Sequence, residues 1–141
     1  MKNVIVFVVA VVCIKYTYGQ KNLFTTADYV RALKHSTDIM VNDVTSPVAA
    51  SRYYAYINLA AIETVALFDK QQPHFAGLVK GLERINVDDS LLKKSDSQLA
   101  VILVLYKSGT RLLPSGYLLQ KNIDSLKRLA KARKISTQKI N

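Results

Sequence analysis

With 141 residues, half of them hydrophobic, the chain suits one compact domain with a modest core. A single cysteine, Cys13, excludes an intramolecular disulfide framework. The formal charge is +10, and from Lys121 onward there are seven basic residues against one acidic, Asp124, a run whose commoner role is to solvate one side of a helix.

Residues 1–19 read as a secretory signal peptide. Lys2 gives the positive start, and Thr17-Tyr18-Gly19 puts small residues where a signal peptidase cuts before Gln20. The apolar run Val4 to Ile14 is about eleven residues, short of the roughly twenty that a membrane span needs; the alternative is an uncleaved membrane anchor. Val12 stands before Cys13 where a lipobox needs Gly, Ala or Ser, which argues against lipidation. Cleavage after Gly19 removes Lys2 and Lys15 and lowers the charge from +10 to +8. The mature chain is expected to be exported, to a periplasmic or extracellular location.

After Thr25 and Thr26, the run ADYVRALKHSTDIMVNDV places Val30, Leu33, Thr37, Met40 or Val41, and Val44 at three- and four-residue spacing, which predicts an amphipathic helix ending near Asn42-Asp43. His35 and Asp38 stand at a spacing compatible with shared metal ligation. Without a second ligand cluster, a surface histidine is the simpler reading.

A very short link then leads to Ser46-Pro47, a strong helix start, and nothing breaks the helix before about Lys70. Its polar residues fall into two narrow stripes, Ser51, Asn58 and Asp69 in one and Arg52, Glu63 and Lys70 in the other. A helix apolar over most of its circumference is expected to be wrapped on several sides as the central core helix. Arg52 and Glu63 lie about 16 Å apart along the axis and cannot pair with each other. Each needs another partner, for Arg52 either Asp43 or Asp38, and a structural ion pair fits these charges better than catalysis.

From Gln71 to about Lys94 the chain reads as a connector, punctuated by Pro73, Gly77, Gly81 and Asp88-Asp89-Ser90, with one helical turn pinned to the core by Phe75, Leu78 and Leu82. His74 has no recognisable partner. Ser95-Asp96-Ser97-Gln98 matches a capping box with Ser95 at the cap, introducing Leu99 to Tyr106 as a buried helix that Gly109 ends. A buried strand is the competing reading for that apolar run. The last helix runs from about Ser115 to Lys134. Leu119, Ile123, Leu126 and Ala130 form its apolar stripe, with Lys127, Arg128, Lys131 and Lys134 opposite.

The run DIMVNDVTSPVAASRYYAYINLAAIETV, Asp38 to Val65, resembles the N-terminal helical region of secreted bacterial vanadium-dependent haloperoxidases, members of the type-2 phosphatidic acid phosphatase superfamily. The resemblance implies a helical scaffold for a C-terminal bundle that holds vanadate or a phosphoryl group. The family's pocket is recognised by three blocks in order, K-x6-RP, PSGH and SR-x5-H-x3-D. Their lysine, arginines, serine and glycine hold the oxyanion; one histidine is the acid–base and the other the metal ligand or nucleophile.

Two segments imitate these blocks. Pro114-Ser115-Gly116-Tyr117 carries tyrosine where histidine is needed. Ser51-Arg52 is followed by Asn58 in place of histidine and Ile62 in place of aspartate. The order is reversed, no Arg-Pro dipeptide occurs, and Lys107 and Arg111 precede Pro114 at the wrong spacing. Neither Asn58 nor Tyr117 replaces a histidine nucleophile or metal ligand. Both segments read as helix starts.

No Gly-rich phosphate loop, zinc spacing or nucleophile–base pair is present in the sequence. The expectation is therefore an all-α chain of about four helices behind a signal peptide, a partial bundle spanning residues 20–141. It carries no catalytic, cofactor-binding or metal residues of its own and is inactive alone. Its partner is then a C-terminal catalytic bundle of the same protein. The alternative is a stand-alone exported binding protein using Lys127, Arg128, Lys131 and Lys134 on anionic partners. A nucleic-acid binder is disfavoured, because no aromatic-and-basic reading surface is present.

Overall fold

The computed structural model describes residues 24–132, so the expected leader and cleavage site, Cys13 and Lys134 lie outside the described residues. Within that range the protein is all-α: α1 (Thr26–Asn42), α2 (Pro47–Phe68), α3 (Asp89–Lys94), α4 (Ser97–Leu112), a 3-10 turn (Gly116–Leu119) and α5 (Gln120–Ala132).

The Asp28 carboxylate, accepting the Thr25 N–H at 2.9 Å, fixes the start of α1. The buried face of this helix is Ala32, Ser36, Ile39 and Met40, rotated from the expected stripe. Leu33 and Thr37 are half-buried, while Val30, Val41 and Val44 are exposed. Small Ala32 and Ser36 bring the backbone of α1 close to its neighbour, and larger valines beside them are left outside. At the end of α1, Val44 adopts φ 51°, a left-handed conformation usually given to glycine. The Val44 N–H bonds Val41 O at 3.1 Å and the Thr45 N–H bonds Met40 O at 2.9 Å, a Schellman closure with valine at the left-handed position.

Ser46 caps α2 as expected, its hydroxyl accepting from the Ala49 N–H at 3.4 Å with Pro47 in the first turn. The wrapping of α2 is not as expected. Ile57, Ala61, Glu63, Thr64 and Ala66 are buried, but the opposite side faces solvent. The central helix is instead α4, packed against α1, α2, the 3-10 turn and α5. Leu99, Ala100, Ile102, Leu103, Leu105 and Tyr106 of α4 are all buried.

The cap of α4 is Asp96, whose carboxylate accepts the Leu99 N–H at 2.7 Å. Ser95 is not the cap; its hydroxyl donates to Leu91 O, and Gln98 accepts from the Phe24 N–H. A charged acceptor at the N-terminus outcompetes a hydroxyl one residue earlier. Gly109 does not end this helix, which continues to Leu112. A Cβ on Gly109 would sit 2.5 Å from Leu119 Cδ1, so glycine is there to admit the 3-10 turn.

Within the connector, Asp88-Asp89-Ser90 is a helix start rather than a loop, with the Asp88 carboxylate accepting the Ser90 N–H at 2.8 Å. Phe75 and Leu82 are half-buried, but Leu78 is exposed and pins nothing. Gly77 and Gly81, both at positive φ, set the tight turns between them. The helix expected from about Ser115 begins as the 3-10 turn and becomes α5 only at Gln120. The stripe is as expected: Leu119 of the turn with Ile123 and Ala130 of α5 are buried, and Leu126 packs against the same core.

Candidate functional sites

The two segments that imitate the family's oxyanion blocks are held apart from any shared pocket by their own bonds. Ser115 donates through its N–H (3.0 Å) and its hydroxyl (2.6 Å) to the Asp43 carboxylate. Both of its donors are thus spent, and on a negative charge. Gly116 is buried where the chain crosses α4; an added Cβ would meet the Gly109 carbonyl and lie 2.9 Å from Thr110 Cα. Tyr117 points outward, 71% exposed. In the other segment, Ser51 donates to Val48 O at 2.8 Å. Asn58 accepts from the Tyr29 hydroxyl at 2.6 Å and donates to Tyr54 O at 2.7 Å, tying α1 to α2. These residues do not fit vanadate: the serine's donors already face a carboxylate, and neither segment offers an imidazole.

The expected pairing of Arg52 is overturned. Arg52 is exposed and makes no ion pair among the described residues, while Asp38 pairs with Lys34 at 2.8 Å and Asp43 is taken by Ser115. Among the described residues, the other ion pair is Arg31–Asp28, and Glu63 is met by His74.

Glu63, on α2, is the most buried charge among the described residues, 4% exposed. Its Oε2 lies 3.0 Å from His74 Nδ1, and its Oε1 accepts the N–H groups of Phe75 and Ala76. The His74 hydrogen bond, together with the two amides, holds its carboxyl below the ordinary value of 4.5 despite the opposing cost of burial. An ionised carboxylate here needs a donor for each oxygen, and the loop after α2 supplies them.

His35 is the second titratable cluster. Its Nδ1 lies 2.8 Å from the Tyr106 hydroxyl and 3.0 Å from the Asn122 amide nitrogen, with the His35 and Tyr106 rings stacked at 5.9 Å. Burial lowers its pKa below 6.5, with the Asp38 charge opposing. His35 is thus half-buried rather than the expected surface histidine: its ring turns towards α4 and α5, while Asp38 pairs with Lys34. No group of three or more His, Cys, Asp or Glu placed to hold a metal occurs among the described residues.

The sequence pointed to a partner for Glu63 without naming it. A lone acid on an apolar helix requires one, but His74, which the sequence left without a recognisable partner, is the group that folds back to it from eleven residues on. Nothing in the spacing marked Asp43 with Ser115, or His35 with Tyr106 and Asn122. No protein-family model, curated protein or solved structure matches this chain.

Proposed function

We propose that the chain is an exported helical scaffold, the N-terminal helical portion of a vanadium-dependent haloperoxidase-like or phosphatase-like protein, whose oxyanion pocket is built from residues outside this sequence. The observation that carries this reading is the outer face of α2. Val48, Tyr56 and Ile62 are 66%, 54% and 41% exposed there, within the run that carries the family resemblance. A helix with so much apolar surface turned outward is built to receive further helices. The occupant this reading commits to is the catalytic bundle of the same protein.

The test has two arms. The coding sequence is read past the codon for Asn141, where a frame carrying K-x6-RP, PSGH and SR-x5-H-x3-D is expected. The purified chain and the extended product are then assayed with vanadate, peroxide and halide, and for phosphatase activity; only the extended product is expected to turn over. Turnover by the chain alone that disappears on Asn58→Ala or Tyr117→Ala would overturn the reading, as would a stop codon directly after Asn141.

A second reading has its own observation. Lys121, Lys127, Arg128 and Lys131 of α5 form no ion pair among the described residues, unlike the basic residues of α1. That leaves a cationic face able to hold an anionic membrane, and the chain then acts as a stand-alone binding protein. Binding to anionic vesicles at physiological salt, lost on Lys127→Glu and Lys131→Glu, would favour it over the scaffold.

A further inference from the structure

A cavity of about 470 Å³ opens between the end of α2, His74 and the segment Arg84 to Leu92. Its size falls within the range of small-molecule sites, and its lining is of two kinds. Leu67, Ile85 and Leu92 supply apolar surface, while Lys70, Arg84 and His74 bring nitrogen groups to the same space. Neither Lys70 nor Arg84 makes an ion pair or a side-chain hydrogen bond among the described residues, although Asp89 also lines the cavity.

His74 is not free to turn away. Its Nδ1 is committed to the buried Glu63 carboxylate, so the ring is fixed with Nε2 as its remaining nitrogen, without a protein partner among the described residues. A histidine oriented by a buried carboxylate, beside two unpaired cations and an apolar lining, is a built recognition surface rather than scattered surface charge.

We infer that this cavity binds an amphiphilic organic anion, an acid group on an apolar body. The acid group sits against Lys70 and Arg84, beside the ring of His74, and the apolar body covers Leu67, Ile85 and Leu92. A bare inorganic ion leaves that apolar lining in water, and a neutral amphiphile leaves both cations unpaired. The site does not depend on the scaffold reading, since the outer face of α2 takes no part in it.

The test is an amide chemical-shift titration of the purified protein with four probes below their aggregation limits: decanoate, decyl phosphate, decanol and inorganic phosphate. One or both decyl anions are expected to shift Leu67, His74 and Arg84, and which one binds identifies the acid as carboxylate or phosphate ester. Decanol and inorganic phosphate are expected to bind at least about tenfold more weakly. The variant with Lys70→Glu and Arg84→Glu, both exposed positions, is expected to lose at least about tenfold for the anions while keeping its fold by circular dichroism. Equal binding of decanol or of inorganic phosphate, undiminished binding by that variant, shifts confined to Val48, Tyr56 and Ile62, or no binding by either decyl anion would each overturn the inference.

Discussion

His74 and Glu63 meet at 3.0 Å, Nδ1 to Oε2, and through that contact the loop following α2 is fastened to the interior of the helix it has just left. The neighbouring amides of Phe75 and Ala76 reach the other carboxylate oxygen, so one acid organises three consecutive residues. Glu63→Gln removes the charge and turns an amide NH2 towards one of these donors. It is expected to cost about 1–3 kcal/mol in chemical denaturation. An unchanged midpoint would mean that water satisfies the loop's donors equally well.

Acid should weaken this fold through two groups whose windows open at different pH. His35 has its pKa lowered by burial, so its neutral form is favoured in the folded state and its contribution fades as pH falls from 6.5 through the folded value. Glu63, also lowered, contributes fully above 4.5 and loses its contribution as pH falls through its own folded value. Melting temperature followed against pH should therefore drop first near the upper window, and His35→Gln should remove that first drop alone. A His35→Gln profile parallel to wild type throughout would contradict the assignment.

Val44 holds a left-handed backbone while 87% exposed, so its side chain returns little packing for the conformational cost. That conformation costs an L-residue about 1–2 kcal/mol, and glycine's extra freedom in the unfolded chain takes back about half. Val44→Gly is thus expected to stabilise by about 0.5–1 kcal/mol, read as a higher denaturation midpoint with an unchanged slope. Destabilisation would show that the valine side chain is needed at the turn.

Gly116 should tolerate nothing larger. The atoms an added methyl meets are the backbone of Gly109 and Thr110, which cannot swing aside as a side chain can. Gly116→Ala is expected to cost about 1–3 kcal/mol by overpacking. Tyr117→Ala, at the next and exposed position, serves as the control and should leave the melting temperature nearly unchanged.

Much of the fold was legible in the sequence because the signals were local. Ser46-Pro47 opens α2, and the 3.6-residue stripe of Leu119, Ile123 and Ala130 marks α5; both depend on neighbours a few residues away. What was illegible depends on distance in sequence. Gly109 carries a common helix-stop residue, yet its reason is Leu119 from the following turn. The apolar circumference of α2 suggested a central helix, because composition alone cannot distinguish a face covered by α4 from one left open. The candidate sites follow the same division. The blocks that look like a haloperoxidase pocket are sequence likenesses whose donors the fold spends elsewhere, on Asp43 and Tyr54. The pair that is buried and ordered, Glu63 with His74, joins residues that no spacing rule connects.

The position of α4 along the chain sets the order in which this protein becomes able to protect itself. Everything up to Asp96 emerges during synthesis before the helix on which α1 and α2 bury their faces. Until Leu103 and Leu105 have arrived, Ile39, Met40, Ile57 and Ala61 lack most of the surface they will rest on. Products ending ahead of Ser97 should remain sticky and open to proteases, whereas those reaching Leu119 have the pieces to close around α4. Keeping the first ninety or so residues from aggregating until that point is a task for whatever accompanies the chain during synthesis.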